Sequence, residues 1–324
     1  NDKERSDFVI QLDSIDFKLF AELQQQTSGE QAKTIEPCNL VQLEDKFREI
    51  GEASIRNGEI GVLTVAGGQG TRLGWSGPKG TFPATPVTGK SLFQVIAEQI
   101  VFASKKYNTT IPWYIMTSVE NDAVTRAFLL DNNCFGLDRT DIFMFTQNEI
   151  PAIDNKGKML LAAKNKIAMN PDGHGGVITA LQQSGGLDEM TTRGDKYLSY
   201  VQIDNPLANV IDPNFIGLHI SDQSSIEASS KCVKKTDPNE RVGVFCNVNG
   251  NVSVVEYSDL PTEKANEVDD GGQLVYAGGS IALHLFSVNF LQQTAHDLQW
   301  HKAHKKIPFV DLATGTAVNP EKPN

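Results

Sequence analysis

The apolar run Gly61-Val62-Leu63-Thr64-Val65 empties without a break into AGGQGTRLGWSGPKG, which covers Ala66 to Gly80. The run has the length and β-branched content of a buried strand. A strand that opens into Gly67, Gly68, Gly70 and Gly74 offers backbone N–H groups with few side chains in the way. Glycine takes positive φ cheaply and lets a ligand approach the main chain, so such a loop can wrap phosphates. Arg72 and Lys79 place two cations beside it. Arginine grips phosphate oxygens in a fork, and lysine acts as a mobile point charge. The plain alternative is a glycine-rich turn with both cations solvated. The strand before the loop, and Pro78-Lys79-Gly80 after it, favour a polyphosphate site.

Two familiar nucleotide loops fail on residues. A G-x-G-x-x-G fingerprint started at Gly68 reaches Gly70 and then finds Leu73 in place of the third glycine. Gly89-Lys90-Ser91 imitates the end of a G-x-x-x-x-G-K-[ST] loop, but Ala84 holds the leading glycine position, with Pro83 and Pro86 nearby. A kinase or ATPase built on that segment is therefore disfavoured.

Beyond Glu59 strands alternate with helices. Leu92 to Tyr107 and Asn121 to Leu130 read as helices. Trp113 to Met116, Ile142 to Phe145, Tyr197 to Ile203, Val242 to Cys246 and Val252 to Tyr257 read as strands. The alternation predicts an α/β sheet with helices on both faces. Residues 1–58 are polar, with helical spacing over Asp16 to Gln26 and Asn39 to Asn57, and are expected to form a helical arm. Residues 59–324 then make the main domain.

A chain of 324 residues with 40% hydrophobic content can bury a sizeable core, and its net charge of −11 argues against nucleic acid as the main partner. Cys38, Cys134, Cys232 and Cys246 are far apart with no C-x-x-C pair, which predicts reduced thiols without disulfides or metal. No stretch approaches the ~18 apolar residues of a membrane span, and the charged start lacks a signal-like apolar region. These features predict a cytoplasmic protein without a membrane partner.

Strand ends are where α/β sheets bind ligands. Asp204, after Tyr200-Val201-Gln202-Ile203, is placed to hold Mg²⁺, which takes one or two carboxylates plus substrate phosphate oxygens; a turn aspartate before Pro206 is the alternative. In Asn170-Pro171-Asp172-Gly173-His174-Gly175-Gly176 the glycines open a helix and leave N–H donors free. A tight turn capped by Asp172 or His174 is the alternative there. Gln147 and Asn148 bring two amides to another strand end, suited to reading the edge of a base. His296, His301 and His304, interleaved with Lys302, Lys305 and Lys306, read as a solvated basic face. No serine sits in a G-x-S-x-G elbow, and no activated nucleophile is apparent.

Gly67-Gly68-Gln69-Gly70-Thr71-Arg72-Leu73-Gly74 followed by Pro78-Lys79-Gly80 resembles the nucleotide loop of the UDP-sugar pyrophosphorylases, in particular the eukaryotic-type UDP-N-acetylglucosamine branch and its bacterial relatives. Ile111 to Ser118, Gln147 with Pro151-Ala152, Pro171 to Gly176, and Ile203-Asp204-Asn205 follow in the family's order. So do Val242 to Val244, Val255 to Ser258, and Lys306 to Asp311. The likeness runs from about Glu59 onward.

The resemblance implies a GT-A-like (Rossmann-like) α/β nucleotidyltransferase with a mixed, mostly parallel sheet flanked by helices. It would convert UTP and a hexose 1-phosphate, N-acetylglucosamine 1-phosphate first among them, to UDP-sugar and pyrophosphate. Gly67, Gly68, Gln69, Gly70, Thr71, Gly74 and Arg72 would hold the UTP phosphates, with Lys79 near the reacting centre. Gln147, His174, Gly175 and Gly176 would contact the nucleotide's uracil side. Asp204 would bind Mg²⁺, with Mn²⁺ the alternative, and Gly243, Glu256 and Tyr276 would lie at the sugar. The family's acetamido-sugar enzymes carry Asn-Ala-Gly-Asn where this chain has Tyr276-Ala277-Gly278-Gly279-Ser280, with Tyr276 in the first position, so glucose 1-phosphate stands as the alternative substrate. A second phosphate-binding lysine of the family is expected beyond Asn324, which implies an incomplete carboxyl end, with Lys305 or Lys306 as the substitute. A non-catalytic nucleotide-sugar-binding protein is the alternative of another class; retention of Arg72, Lys79 and Asp204 together argues for turnover.

Overall fold

Ile60, Val62, Leu63 and Ala66 are at most 2% exposed, so the strand that feeds the glycine loop is central to its sheet. A computed structural model describes residues 2–13, 15–18, 20–21, 34–173, 175–295, 306–311 and 314–320. They fall into two units: a larger one of residues 30–146 and 181–295, and a smaller one of 1–29, 147–180 and 296–324. In chain order the strands are β1 (Ile35–Pro37), β2 (Ile60–Val65), β3 (Trp113–Thr117), β4 (Ile142–Thr146), β5 (Glu149–Pro151), β6 (Leu161–Ala163), β7 (Lys166–Ile167) and β8 (Met169–Pro171). They continue with β9 (Tyr197–Gln202), β10 (Ala228–Lys234), β11 (Val244–Val248), β12 (Asn251–Val255), β13 (Gly278–Ser287), β14 (Phe309–Val310) and β15 (Ala317–Val318).

The larger unit is built on one mixed sheet in the order β1-β11-β13-β9-β2-β3-β4, with β10 beside β13 and β12 beside β11. β9, β2, β3 and β4 run parallel, and β13 returns antiparallel to β9. From β2 the chain passes to β3 on one side, while β9 arrives later on the other. The strand order therefore turns at β2, and at such a switch point adjacent strand ends diverge and leave a crevice. Val65 pairs with both Met116 and Gln202, so the carboxyl ends of β2, β3 and β9 are level.

Helix Leu92–Tyr107 shows how the sequence builds the layers. Ser91 caps it by accepting from the Gln94 N–H at 3.1 Å, and Asn108 ends it in the left-handed region at φ 51°. Leu92, Phe93, Ile96, Ala97, Ile100 and Ala103 recur at helical spacing and are buried in one core with Val62, Trp113, Ile115 and Val201. Each large apolar side chain so buried contributes about 1.5–3 kcal/mol. Helices Arg48–Arg56 and Pro213–Ile220 approach through Gly51 and Gly217; a Cβ on either would stand 1.9 Å from a backbone oxygen of the other segment. Gly61, inside β2, leaves room for the Tyr114 ring and the Asp195 carboxylate, whose Cε2 and Oδ2 would lie 2.9 and 3.2 Å from an added Cβ.

The expected strands and helices between Ile60 and Val255 are present with ends shifted by a few residues. The amino-terminal segment differs from expectation. Ile35–Pro37 is a strand on β11, and only Asp45–Phe47 and Arg48–Arg56 are helical within Asn39–Asn57. Leu40 packs on Gly278 of β13, so a tertiary contact overrides the helical spacing there. Pro37, lacking an N–H, sits in a strand paired on one side only. Most of the expected helix Asp16–Gln26 lies outside the described residues. β10 and β13 were not expected. Ala282 at φ 52° accompanies a bulge opposite Lys231 and Cys232, and this breaks the two-residue alternation.

In the smaller unit β5 pairs with β8, β6 with β7, and β14 with β15. Ala152, Leu160 and Ala168 pack with Ile307 and Phe309. All four cysteines are free, and burial pushes the Cys246 thiol up to about 11. Among the described residues no helix is long and apolar enough to cross a membrane.

Candidate active site

The glycine loop leaves β2 with the Ala66 N–H still bonded to the Met116 carbonyl at 2.7 Å. It then folds back on itself: Gln69 bridges to Pro78, the Lys79 N–H donates to Gly68 O at 2.9 Å, and the Gly70 N–H donates to Gly77 O at 2.9 Å. Thr71–Leu73 form a single tight turn that ends at Gly74 with φ 68°, a conformation that favours glycine.

The loop's glycines have different jobs. A Cβ on Gly70 would strike Trp75 at 2.8 Å, and one on Gly80 would strike the Phe93 ring at 2.2 Å. Those two serve packing. A Cβ on Gly68 would meet only Lys79, with Cε at 3.5 Å and Nζ at 3.7 Å. Gly68 thus keeps a small cradle open between bare backbone and an ammonium.

Lys79 is aimed by the turn Lys79–Thr81, which Thr81 braces by donating from Oγ1 to Pro78 O at 2.8 Å. Its Nζ donates to Asp204 Oδ2 at 2.8 Å. Asp204 is carried there by β9, whose ladder with β2 extends through the Ile203 N–H to Val65 O at 3.1 Å. Arg72 and Thr71 are exposed, and Arg72 has no ion-pair partner among the described residues. Gln69 turns inward: its Nε2 donates to Asn121 Oδ1 at 2.8 Å, and Asn121 Nδ2 donates to Gly67 O at 2.9 Å. By sequence Asn121 is simply the first residue of the helical run to Leu130, and nothing local signals its bonds to the loop.

Gln147 belongs to the smaller unit, where pairing of β5 with β8 brings it beside Asp172. Its Nε2 donates to Asp172 Oδ1 at 3.2 Å and to Gly173 O at 3.0 Å. Both partners are pure acceptors, so they fix the orientation of the amide and turn Oε1 away. Burial pushes the Asp172 carboxyl up to about 6 against the opposing hydrogen bonds of Gln147 and its neighbours. Asp172 lies directly over the start of helix Gly176–Gln183, where a Cβ on Gly176 would stand 1.9 Å from Oδ1. Gly175 is exposed, and His174 lies outside the described residues, as do His296, His301, His304 and Lys305.

Gly243 and Glu256 are brought together by the β11–β12 hairpin: a Cβ on Gly243 would lie 3.6 Å from Glu256 Oε1. Tyr276 is only 4% exposed. Its hydroxyl donates to Ile35 O at 3.2 Å and accepts from Lys264 Nζ at 3.1 Å. That side chain ties β1 to the sheet and has its donor already engaged.

Comparison with known proteins finds relatives along most of the chain. Residues 15–318 match the model of a protein family described as UTP–glucose-1-phosphate uridylyltransferase. The chain is 39% identical over 290 residues to UDP-N-acetylhexosamine pyrophosphorylase-like protein 1 of Xenopus tropicalis, covering 86% of this chain and 56% of that one. It is 36% identical over 289 residues to UDP-N-acetylglucosamine pyrophosphorylase of Saccharomyces cerevisiae, covering 87% and 60%. The chain thus spans somewhat more than half the length of these curated relatives. The crystal structure of the uridine diphosphate N-acetylglucosamine pyrophosphorylase from Trypanosoma brucei, in complex with an inhibitor, superposes with a TM-score of 0.82 at 30% identity, over 96% of this chain and 67% of that one. A family match over residues 15–318, with relatives 36–39% identical over most of the chain, carries one conclusion: the chain belongs to the UTP–glucose-1-phosphate uridylyltransferase family.

Proposed function

We propose that the protein transfers uridylyl from UTP to N-acetylglucosamine 1-phosphate, giving UDP-N-acetylglucosamine and pyrophosphate. The observation that carries this reading is the Lys79–Asp204 pair at 2.8 Å beside the open cradle at Gly68. The acetamido sugar is supported by the similarity to the UDP-N-acetylglucosamine pyrophosphorylases of Saccharomyces cerevisiae and Trypanosoma brucei. An oxygen of the sugar phosphate attacks the α-phosphorus of UTP in line, and the bond from that phosphorus to the β-phosphate oxygen breaks, releasing pyrophosphate. The nucleophile is already an anion, so no general base and no enzyme nucleophile are required. The chain's task is alignment and charge neutralisation.

Gly67, Gly68, Gln69, Gly70, Thr71 and Gly74 would supply backbone donors to the phosphates, and Arg72 and Lys79 the charge. Gln147, with both amide hydrogens taken by Asp172 and Gly173, would offer Oε1 to the N3–H of uracil, and His174, Gly175 and Gly176 would be further nucleotide contacts. Gly243 and Glu256 would face the sugar. A divalent cation fits Asp204: its side chain is 46% exposed, and a hard ion needs one carboxylate when phosphate oxygens and water complete the shell. No trio of His, Cys, Asp or Glu among the described residues offers a closed alternative. When bound, Mg²⁺ or Mn²⁺ would offset negative charge on the phosphate oxygens.

The test is pyrophosphate release from UTP and Mg²⁺, run in parallel with N-acetylglucosamine 1-phosphate and glucose 1-phosphate. Faster release with the acetamido sugar is expected. Faster release with glucose 1-phosphate would reassign the sugar. No release with either, despite UTP binding, would favour a nucleotide-binding protein without turnover.

A further inference from the structure

We infer that Asn121 is a positioning residue that aims the Gly67–Gly68 peptide at the nucleotide's phosphates; this rests on reading the glycine loop as the phosphate site. Asn121 stands at the N-cap of helix Asp122–Asp131, yet its side chain makes no capping bond. A capping asparagine stabilises a helix, so its diversion calls for another role. The side chain is spent on the loop instead. Nδ2 donates to Gly67 O at 2.9 Å, and Oδ1 accepts from Gln69 Nε2 at 2.8 Å. Residues on both sides of Gly68 are thereby held by one amide that is only 2% exposed.

Peptide geometry supplies the consequence. The bond between Gly67 and Gly68 is trans, so its C=O and N–H point in opposite directions. Pinning the Gly67 carbonyl inward on Asn121 turns the Gly68 N–H outward. Among the described residues that N–H has no acceptor. The open space at Gly68 looks onto the Lys79 ammonium, 3.7 Å from where a Cβ would stand. A donor preset toward an anion needs no rearrangement on binding. The anchor is firm: the Asn121 N–H donates to Ser118 O at 3.0 Å, and its own carbonyl accepts from the Thr125 N–H at 2.9 Å. The Gln69 contact also fixes which end of the Asn121 amide donates.

The experiment compares UTP and uridine binding by calorimetry in the full chain and in the variants Asn121→Ala and Asn121→Asp. Aspartate keeps the size and the acceptor for Gln69 but cannot donate to Gly67 O. Both variants should weaken UTP by about tenfold or more, the worth of one charge-assisted hydrogen bond, and leave uridine within about twofold. An Asn121→Asp chain with full UTP affinity would overturn the proposal, because the Gln69 contact alone would then suffice. Parallel loss of UTP and uridine would overturn it too, leaving Asn121 a residue of the fold. Failure of the unaltered chain to bind UTP would instead count against the phosphate-site reading.

Discussion

The Lys79 ammonium reaches the Asp204 carboxylate at 2.8 Å across 125 residues of sequence, and neither side chain is buried. An exposed pair of this kind contributes about 0–1 kcal/mol to stability. Its value lies in holding a cation and a carboxylate ready at one strand mouth. Replacing Lys79→Ala should therefore leave the denaturation midpoint almost unchanged. It should slow pyrophosphate release by about a hundredfold or more, the usual loss when one charge-stabilising group is removed. A protein that only binds nucleotide would lose UTP affinity and nothing else.

Gly68 and Gly80 separate ligand approach from packing. Gly68→Ala places a methyl in ordinary contact with Lys79 at 3.5 Å, so stability should move by less than about 0.5 kcal/mol while the KM for UTP rises. Gly80→Ala drives a methyl to 2.2 Å from the Phe93 ring and should destabilise the fold by about 1–3 kcal/mol. Urea titrations beside UTP saturation curves distinguish the two. A destabilised Gly68→Ala with normal KM would reverse the assignment.

Tyr114 donates to Asp195 Oδ2 at 2.6 Å, and Asp195 is 5% exposed. Burial pushes the Asp195 carboxyl up to about 6, opposed by the Tyr114 bond and by Arg193. The folded state therefore holds this proton more tightly than the unfolded chain. The group's contribution to stability is present at low pH and falls as pH rises through about 6. Tyr114→Phe removes the donor and should cost about 1–3 kcal/mol at pH 8, with a smaller loss at pH 5, where the carboxyl is protonated. Urea midpoints at the two pH values measure the difference. An equal loss at both would show that packing, not the buried charge, dominates.

Asp172 holds the Gln147 amide with Nε2 inward. An asparagine at that position can present either oxygen or nitrogen, so Asp172→Asn should loosen the amide and reduce preference for UTP over CTP by about tenfold, the effect of one hydrogen bond. The Asp172 carboxyl titrates at about 6, so in the unaltered chain the preference should sharpen as pH rises through that value. Relative kcat/KM for the two nucleotides from pH 5 to 8 reads both effects. A preference flat in pH and unmoved by the substitution would remove Asp172 from base selection.

Gly51→Ala should destabilise the larger unit by more than about 1 kcal/mol without changing the KM for UTP. Its added methyl would stand 1.9 Å from Pro213 O, between two helices that carry none of the proposed site residues.

Local chemistry makes part of this protein readable from its residues alone. β2 and its glycine loop are legible because an apolar β-branched run followed by glycines has few other solutions. Helix Leu92–Tyr107 is legible from its apolar spacing, with Ser91 before it. Arg72, Lys79 and Asp204 stand out as charges at the ends of such elements. Which of them meet depends on the order of strands in the sheet. The order β9-β2-β3 places the mouths of β2 and β9 side by side, and a pairing of strands so distant in the chain leaves no local signature. The same holds for Ile35–Pro37, which pairs with β11, and for Leu40, whose contact with Gly278 stands where the first turns of the expected helix Asn39–Asn57 would be. Asn121 and Tyr276 show the limit most sharply. Each side chain spends its hydrogen bonds on backbone far away in sequence, Asn121 on Gly67 and Tyr276 on Ile35, and residue type alone does not reveal where a polar group will be satisfied.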